Sequence, residues 1–292
     1  MREHGISRAV LVTGCSSGIG RATALRLVRA GWLVYATARR PEMLQDLAAA
    51  GCRVLALDVT DERSMRAAVA AVSGETGAVG VLINNAGYSQ SGAVESVSME
   101  LARRQFETNV FGPLRLTQLV LPGMRKQRWG KVVNLSSMGG KLTFPGGGLY
   151  HASKYAVEAL SDALRFEVCA FGVDVVVIEP GLIRTGFGET AAAGTGAAVV
   201  QDGDGAYRQF NAAVAAATRA VYASSALAWL GGEPERVAAV IERAMSAQRP
   251  RARYRVTPSA RLLLALHAAL SDRAWDGFLR LQLPPPGARR RP

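Results

Sequence analysis

Residues 9–20 read Ala9-Val10-Leu11-Val12-Thr13-Gly14-Cys15-Ser16-Ser17-Gly18-Ile19-Gly20, and they set the architecture expected for the whole chain. The apolar run at the start is typical of a parallel strand that is buried on both faces. A glycine-rich turn comes next, and residues 21–30 predict a helix. Strand, glycine turn and helix in this order are typical of a pyrophosphate site, because glycines admit the ligand and a helix N-terminus offers free N–H groups.

The glycines of this turn have the spacing Gly-x-x-x-Gly-x-Gly, over Gly14, Gly18 and Gly20. This spacing differs from the Gly-x-Gly-x-x-Gly fingerprint of many dinucleotide sites. A single glycine motif is a weak signal, so the interpretation depends on the motifs that lie further along the chain.

The second predicted strand, residues 32–37, is followed by Ala38, Arg39 and Arg40. Dinucleotide folds commonly place a carboxylate here, where it binds the ribose hydroxyls of the adenosine. Two guanidinium groups and no carboxylate favour a 2′-phosphate instead, and therefore NADP over NAD. The alternative is a pair of surface arginines without a ligand.

Two further strands are expected at residues 53–59 and 79–87, with a helix at 60–73 between them. Asp58 lies at the carboxyl end of the third strand. Ligand crevices of open parallel sheets lie at such ends. The carboxylate of Asp58 could therefore accept a hydrogen bond from an adenine amino group.

Residues 137–154 carry the side chains with the clearest chemistry. Tyr150 and Lys154 are four residues apart at the start of a predicted helix, so they lie on one face. An ammonium one turn away favours the phenolate form of the tyrosine. Ser137 ends a predicted strand, and the glycines of 146–148 let the chain fold back, so Ser137 and Tyr150 could meet at one oxygen atom. The alternative is that Tyr-x-x-x-Lys marks a solvated helix face.

Six short segments stand in a distinctive order along the chain. They are Thr13-Gly14-x-x-x-Gly18-x-Gly20, Asn84-Asn85-Ala86-Gly87, Asn109, Ser137, Tyr150-x-x-x-Lys154 and Pro180-Gly181. With these segments the chain resembles the short-chain dehydrogenase/reductase family over nearly its whole length. A narrower similarity is to members that act on hydroxysteroids and retinol, and it rests on residues 37–40 and on a long C-terminal extension.

The resemblance implies four catalytic residues, Ser137, Tyr150, Lys154 and Asn109. Ser137 would donate a hydrogen bond to the substrate carbonyl, and Tyr150 would act as the general acid or base. Lys154 would assist Tyr150 and hold the nicotinamide ribose, and Asn109 would hold a water that connects Lys154 to solvent. Ser137 is preferred over Ser136 because it lies 13 residues before Tyr150, as the family pattern requires.

The resemblance also implies a cofactor site along the carboxyl edge of the sheet. Arg39 would bind the 2′-phosphate, and Asp58 with Val59 would hold the adenine. The residues expected to contact the cofactor are Gly14, Ser16, Ser17, Gly18, Ile19, Gly20, Arg39, Asp58, Val59, Asn85, Ala86, Gly87, Tyr150, Lys154, Pro180, Gly181, Ile183 and Thr185. No metal ligand is expected, because the cysteines and histidines have no metal-binding spacing.

The predicted fold is α/β, a doubly wound parallel sheet of about seven strands (a Rossmann fold) in one domain with a C-terminal extension. The catalytic domain is assigned to residues 1–256 and includes a substrate lid at about 186–232. A helical extension is assigned to 257–283 and a disordered tail to 284–292. The apolar extension could floor a substrate pocket, join protomers or lie on a membrane.

The charge, the cysteines and the apolar runs of the chain favour an intracellular protein. The 292 residues carry a net charge of +12, but no basic module typical of nucleic-acid binding surrounds the alternating arginines of 249–256, which are interpreted as the wet face of an edge strand. Three separated cysteines are expected to be small buried hydrophobes in a reducing compartment. Neither a secretory signal nor an apolar run of about 20 residues is visible, so a cytoplasmic location is expected.

The leading functional hypothesis is NADP(H)-dependent interconversion of a ketone or aldehyde and an alcohol, with a bulky or apolar substrate. A 3-oxoacyl-carrier-protein-type reductase is the alternative enzyme, and the cationic surface supports it mildly. A non-catalytic NADP-sensing protein is the alternative of another class, and it is disfavoured because all four catalytic residues are present. The family resemblance also implies a homodimer or homotetramer, while contact with nucleic acid is not expected.

Overall fold

A parallel sheet lies at the centre of the protein. The computed structural model describes residues 5–186, 191, 205–223, 230–283 and 285–286. The strands in this part of the chain are β1 (Val10–Val12), β2 (Val34–Ala38), β3 (Arg53–Ala56), β4 (Val81–Asn84), β5 (Gly130–Leu135), β6 (Val173–Glu179) and β7 (Arg253–Arg255). Every neighbouring pair is parallel, in the order β3-β2-β1-β4-β5-β6-β7. This order confirms the predicted doubly wound sheet and places its switch point between β1 and β4.

Helices cover both faces of the sheet. They are α1 (Gly18–Arg29), α2 (Gln45–Ala49), α3 (Glu62–Thr76), α4 (Met99–Phe106), α5 (Gly112–Lys126), α6 (Gly148–Val168), α7 (Arg208–Ala223), α8 (Pro234–Ser246), α9 (Pro258–Ala269) and α10 (Asp272–Gln282). A π-helical turn, Glu107–Phe111, joins α4 to α5. Among the described helices, none combines the length and the apolar character needed to cross a membrane.

Two apolar cores form because successive side chains of a strand point to opposite faces. Val10 and Val12 of β1 belong to the core that Leu27 of α1 and Ile241 of α8 complete. Leu11, between them, belongs to the core on the opposite face, which α3, α5 and α6 cover. Burial on both faces explains why these strands read as continuous apolar runs.

Buried polar side chains join the central strands to α6. The Nδ2 atom of Asn84 on β4 donates to Oδ1 of Asn134 on β5 at 2.8 Å. The Nδ2 atom of Asn134 in turn donates to Oγ of Ser161 on α6 at 2.9 Å. A buried amide is costly unless its hydrogen bonds are made, so these bonds favour one position of α6 against the sheet.

Buried Lys131 of β5 fixes the end of α8. Its Nζ atom donates to the carbonyl oxygens of Met245 at 2.8 Å and Ala247 at 2.5 Å. These carbonyls belong to the group that a helix C-terminus leaves without partners inside the helix. Burial lowers the pKa of Lys131, and the nearby Asp174 opposes that effect.

The predicted lid and tail are described only in part. Residues 187–190, 192–204 and 224–229 of the lid lie outside the described residues, and so does the tail except for 285 and 286. The described part of the lid contains α7. Residues predicted as a helical extension form α9 and α10.

The basic run before the extension is largely the wet face that the sequence suggested, since Arg249, Arg251 and Arg255 are exposed, but Arg253 is half-buried. β7 is the edge strand, as expected, but Arg253 forms ion pairs with Glu158 on α6 and Glu179 on β6. Arg255 pairs with the same Glu179. Alternation along the strand does put these two arginines on one face, and buried carboxylates on that face bind them there.

Candidate active site

The glycine turn after β1 is held closely against the end of β4. Gly14 has a φ of 72°, a left-handed conformation that favours glycine. A Cβ atom on Gly20 would collide with the carbonyl oxygen of Gly14 and with the Nδ2 atom of Asn85. That Nδ2 atom donates to the carbonyl oxygens of Thr13 at 2.8 Å and Gly14 at 3.1 Å. The side chain of Asn85 therefore shapes the turn.

Thr13 makes the matching connection from the other side of the turn. Its Oγ1 atom accepts hydrogen bonds from the backbone N–H groups of Asn85 at 3.0 Å and Ala86 at 2.9 Å. Two neighbouring strand ends are thereby joined at the switch point of the sheet, where open α/β folds bind ligands.

The N-terminus of α1 opens at this turn and is available to an anion. Ser17 occupies the N-cap position without a side-chain hydrogen bond to the helix, and the first turn contains no acidic residue. Thr185, from the segment after β6, lies beside Gly18. Free N–H groups, a positive dipole end and glycines with little steric bulk fit the pyrophosphate of a dinucleotide.

The adenosine end of the predicted site contains Arg39, Asp58 and Val59. Arg39 follows β2, is exposed, and forms no ion pair with the described residues. The Oδ1 atom of Asp58 accepts hydrogen bonds from the N–H group of Thr60 at 2.9 Å and its hydroxyl at 2.8 Å. Val59 is buried, and its carbonyl oxygen packs against Gly112 at the start of α5.

Lys154 lies buried between α6 and the end of β5. Its Nζ atom donates to the carbonyl oxygen of Leu135 at 2.7 Å and lies 5.9 Å from the centre of the Tyr150 ring. Burial lowers the pKa of Lys154 to about 8, and the charge of Glu158 acts in the opposite direction. The predicted pairing of Tyr150 and Lys154 on one helical face is present, with the ammonium fixed on the sheet side.

Asn109 lies in the π-helical turn, a distortion that is frequent at functional sites. Its Oδ1 atom accepts from the N–H group of Tyr88 at 3.1 Å, and its Nδ2 atom donates to the carbonyl oxygen of the same residue at 2.9 Å. A second bond from Nδ2 reaches Oγ of Ser153 on α6 at 3.1 Å. Asn109 therefore joins the segment after Gly87 to the helix that carries Lys154.

A small enclosed cavity lies between these residues. Ala86, Asn109, Leu135 and Lys154 contribute to its lining, and its space for the centre of a water molecule is about 10 Å³. This is close to the space that one buried water requires. The lining is mixed, and Asn84, Asn109, Asn134 and Lys154 supply its polar groups. These groups suit a water because such a molecule needs several hydrogen-bonding partners.

Two adjacent serines after β5 have different environments. Ser136 is buried, and its hydroxyl has no hydrogen-bond partner among the described residues. Ser137 is half-buried, and its Oγ atom accepts a hydrogen bond from the N–H group of Gly139 at 3.1 Å. The more accessible hydroxyl belongs to the serine that the spacing favoured.

His151, a residue of α6 without a motif in the sequence, binds the loop between β5 and α6 at two points. Its Nε2 atom accepts a hydrogen bond from the N–H group of Phe144 at 3.3 Å, and Nδ1 lies 3.0 Å from the carbonyl oxygen of Gly139. These partners assign a neutral ring with the proton on Nδ1. The ring also contacts Tyr150, with 5.6 Å between the ring centres.

The segment after β6 is held by the C-terminal extension. The hydroxyl of Thr257 accepts from the N–H group of Gly181 at 3.1 Å, and Ser259 accepts from Leu182 at 3.1 Å. Thr257 is also the N-cap of α9. The extension therefore begins directly beside Pro180-Gly181, which the family resemblance assigns to the nicotinamide end of the site.

The structure brings the four predicted catalytic residues to the carboxyl edge of the central strands. Sequence reasoning missed the supporting residues His151, Glu158 and Thr257. A polar residue within an apolar helix face could have indicated Glu158, whereas only the tertiary structure shows what His151 and Thr257 contact.

Comparison with known proteins identifies the family. The family model described as short chain dehydrogenase matches residues 8–195, which is more than half of the chain. The protein therefore belongs to the short-chain dehydrogenase family, and it is an oxidoreductase of that family with a Rossmann-like fold.

Similar proteins include one named as an oxidoreductase and two named as reductases. Uncharacterized oxidoreductase YusZ of Bacillus subtilis is 35% identical over 285 residues, which cover 94% of this chain and 98% of the relative. NADPH-dependent 3-dehydrocapnine reductase of Ornithobacterium rhinotracheale is 35% identical over 278 residues, 92% of this chain and 95% of the relative. 3-Ketodihydrosphingosine reductase of Bacteroides thetaiotaomicron is 44% identical over 178 residues, 61% of this chain and 65% of the relative.

Solved structures show the same fold. A short-chain dehydrogenase from Streptomyces avermitilis superposes with a TM-score of 0.75 at 35% identity, covering 94% of this chain and 98% of that chain. The closed form of a serine dehydrogenase complexed with NADP+ has a TM-score of 0.71 at 27% identity, covering 86% and 95%.

Proposed function

We propose that this protein is an NADPH-dependent carbonyl reductase, which interconverts a ketone or aldehyde and an alcohol with Tyr150 as the general acid or base. The observation that carries the proposal is the joint placement of Tyr150, Lys154 and Asn109 at the sheet edge where the glycine turn opens. A bound nicotinamide supplies the hydride, and the protein supplies position and proton transfer.

Each catalytic side chain has a separate task in this proposal. Ser137 donates its hydroxyl proton to the substrate carbonyl oxygen in a hydrogen bond, and Tyr150 delivers a proton to that oxygen in reduction. The buried ammonium of Lys154 stabilises the phenolate that remains, because opposite charges interact strongly where water is excluded. Asn109 holds a water in the small cavity, so that the proton can be replaced from solvent.

NADP(H) is the proposed cofactor, in preference to NAD(H). Arg39 is available for a 2′-phosphate, and no carboxylate follows β2 in the position that would bind ribose hydroxyls. The relative named as an NADPH-dependent reductase and the similar structure that contains NADP+ support this preference. The glycine turn, Asp58-Val59 and the segment 180–185 complete the proposed site.

An apolar carbonyl compound is the proposed substrate class. Met138 and Phe144, in the segment between Ser137 and Tyr150, pack with Trp275 of the extension in one apolar cluster. Two relatives are named as reductases of 3-ketodihydrosphingosine and 3-dehydrocapnine, and these names support the reduction of a ketone. We favour this class over 3-oxoacyl-carrier reduction because an apolar cluster adjoins the site.

A homo-oligomer remains part of the proposal. Large apolar side chains of α6 are exposed, among them Leu160 and Phe166. Exposed apolar patches of this kind commonly mark protein contacts. A cytoplasmic location remains a proposal from the sequence.

The first experiment measures NADPH consumption against steroid ketones, retinal, simple ketones, β-ketoacyl thioesters and 3-ketodihydrosphingosine. The variant Tyr150→Phe is expected to lose turnover by roughly 10²–10⁴-fold, since it removes the proton donor. Its affinity for NADPH, measured by fluorescence titration, is expected to stay close to that of the wild type.

Tyr155→Phe is the matched control, because Tyr155 is a tyrosine of the same helix whose side chain is 42% exposed. It is expected to retain turnover. Wild-type-like rates in Tyr150→Phe would refute the assigned mechanism. Tight NADPH binding without turnover of any carbonyl would favour the NADP-sensing alternative.

A further inference from the structure

Glu158 is a buried carboxylate on α6, one helical turn after Lys154. Its side chain is 3% exposed. A carboxylate is costly to bury unless it is paired. The Oε2 atom has two cationic partners from different elements: Nε of Arg253 on β7 at 2.9 Å, and Nζ of Lys141, after β5, at 3.4 Å.

A second buried carboxylate, Glu179 at the end of β6, shares this cluster. Its Oε1 atom lies 3.3 Å from Nε of Arg253, and its Oε2 atom lies 3.3 Å from Nε of Arg255. Burial, and then the charge of Glu158, raise the pKa of Glu179. The cluster therefore joins α6 to β6 and β7, at one edge of the sheet, and to the loop that carries Ser137.

The position of Glu158 allows its charge to act on Lys154. Glu158 follows Lys154 by four residues in α6, so the two buried side chains lie on one face of the helix. Gly140 packs against the base of this pair, since a Cβ atom there would lie 3.0 Å from Cγ of Glu158 and 3.1 Å from the backbone oxygen of Lys154. The other carboxylate oxygen, Oε1, is buried without a hydrogen-bond partner among the described residues. A charge that is little hydrated interacts strongly with its neighbours.

We propose that Glu158 is a positioning residue for the reductase reaction, whose buried negative charge keeps Lys154 protonated while Arg253 and Lys141 hold the carboxylate in place. The inference rests on the proposed function, because it concerns the ammonium on which Tyr150 depends. The ion-pair cluster that attaches β7 to the sheet would thus also affect catalysis.

The charges around Lys154 determine the direction in which its pKa is expected to change when Glu158 is replaced. Burial lowers the pKa of Lys154, and Glu158 is the charge that raises it again. The other titratable or charged groups around the pair are Tyr150 on α6, Lys141 after β5, Arg253 on β7 and Glu179 on β6. Without the carboxylate of Glu158, Lys154 is expected to lose its proton at a lower pH.

The direct test is an NMR titration of the full chain labelled with ¹³C at lysine Cε, with Lys154→Met used to assign the Lys154 signal. In Glu158→Gln, the titration midpoint of Lys154 is expected to fall by about one pH unit. Glu158→Asp, which retains the charge, is expected to restore most of the difference. An unchanged midpoint in folded Glu158→Gln would overturn the proposal.

Asp162→Asn is the matched control, because Asp162 also pairs with Arg253, at 2.5 Å, but its side chain is 45% exposed and lies two turns from Lys154. In Asp162→Asn, the titration midpoint of Lys154 is expected to match that of the wild type. A fall equal to that in Glu158→Gln would show that the loss of a partner of Arg253, rather than the loss of the buried charge, lowers the midpoint. If Glu158→Gln lacks a cooperative unfolding transition, Lys141→Met replaces it. Removing this cation beside Glu158 is expected to raise the midpoint, and no rise would contradict the proposal.

Kinetics supply the second measurement. The rate of NADPH-dependent reduction decreases at alkaline pH, and in Glu158→Gln this decrease is expected at a lower pH than in the wild type. The shift of the rate profile should equal the shift of the NMR midpoint. A midpoint that falls while the rate profile stays unchanged would refute the link to catalysis. Wild-type protein without turnover would defeat the proposed function, yet the titration would still decide whether Glu158 sets the charge of Lys154.

Discussion

At the scale of single residues, Arg39 carries the proposed coenzyme preference. It directly follows the end of β2, where its exposed guanidinium has no ion-pair partner among the described side chains. Arg40 is also exposed and differs from Arg39 by one position in the chain. Comparing substitutions at these two positions therefore distinguishes a specific contact with the phosphate from a general effect of positive charge.

Arg39→Ala is expected to raise the KM for NADPH by roughly 10–100-fold, because a hydrogen bond to a charged group contributes about 1.5–3 kcal/mol. The KM for NADH, which lacks the 2′-phosphate, is expected to stay nearly constant. Steady-state kinetics with both coenzymes check this, with Arg40→Ala as the control. Equal losses in the two variants, or for the two coenzymes, would argue against a phosphate site at Arg39.

At the scale of elements, the loop between β5 and α6 depends on one buried imidazole. The His151 ring bonds to the backbone at Gly139 and at Phe144, near the two ends of this loop. Burial lowers the pKa of His151 below its ordinary value of 6.5. Protonation at Nε2 would break the bond from Phe144, because that nitrogen could no longer accept a hydrogen bond.

The free energy of unfolding is therefore expected to decrease as the pH falls below about 6.5, since the unfolded state then binds more protons than the folded state. His151→Gln keeps a donor and an acceptor but does not titrate, so its stability is expected to decrease less between about pH 8 and pH 5.5. Urea denaturation of both proteins at the two pH values measures the difference. An identical decrease in the two proteins would show that His151 does not contribute to acid sensitivity.

At the scale of the whole molecule, the extension packs against the loop between β5 and α6. Trp275 of α10 is buried against Phe144, with 6.1 Å between ring centres, and also contacts Phe278 and His267. Leu283, after α10, packs against the apolar cluster of Ala93, Phe210 and Val214, of which the last two belong to α7 in the described part of the lid. The extension thereby connects the loop of Ser137 to α7, and these contacts support the hypothesis that it forms the floor of a pocket.

Trp275→Ala is expected to destabilise the protein by about 3–5 kcal/mol, the usual cost of removing a large buried aromatic side chain. Because the loop of Phe144 loses its support, kcat/KM should decrease more for long apolar ketones than for small ones. Thermal unfolding and a chain-length series of ketones measure the two effects. Leu281→Ala is the control, since Leu281 is 88% exposed and should tolerate the change; a uniform loss for all ketones would contradict a role in specificity.

Several features of the fold were predictable because their causes are local. Apolar runs of strand length, the glycine turn before α1 and the spacing of Tyr150 and Lys154 each depend on residues close together in the chain. The strand order and the place of the switch point agree with the family resemblance. The wet face predicted for the arginines of 249–256 holds for Arg249, Arg251 and Arg255. The half-burial of Arg253 against Glu158 was not predictable, because strand periodicity cannot show which distant carboxylates lie opposite.

The sequence by itself determined a parallel sheet, a turn that suits a pyrophosphate and a Tyr-x-x-x-Lys pair on one helical face. Only the tertiary structure decided that Asn85 shapes the glycine turn, that His151 joins the loop to α6, and that Arg253 meets Glu158. The physical reason is distance along the chain. Short spacings are set by helix and strand geometry, whereas pairs such as Glu158 and Arg253 meet only after burial of the two apolar cores brings α6 and β7 together.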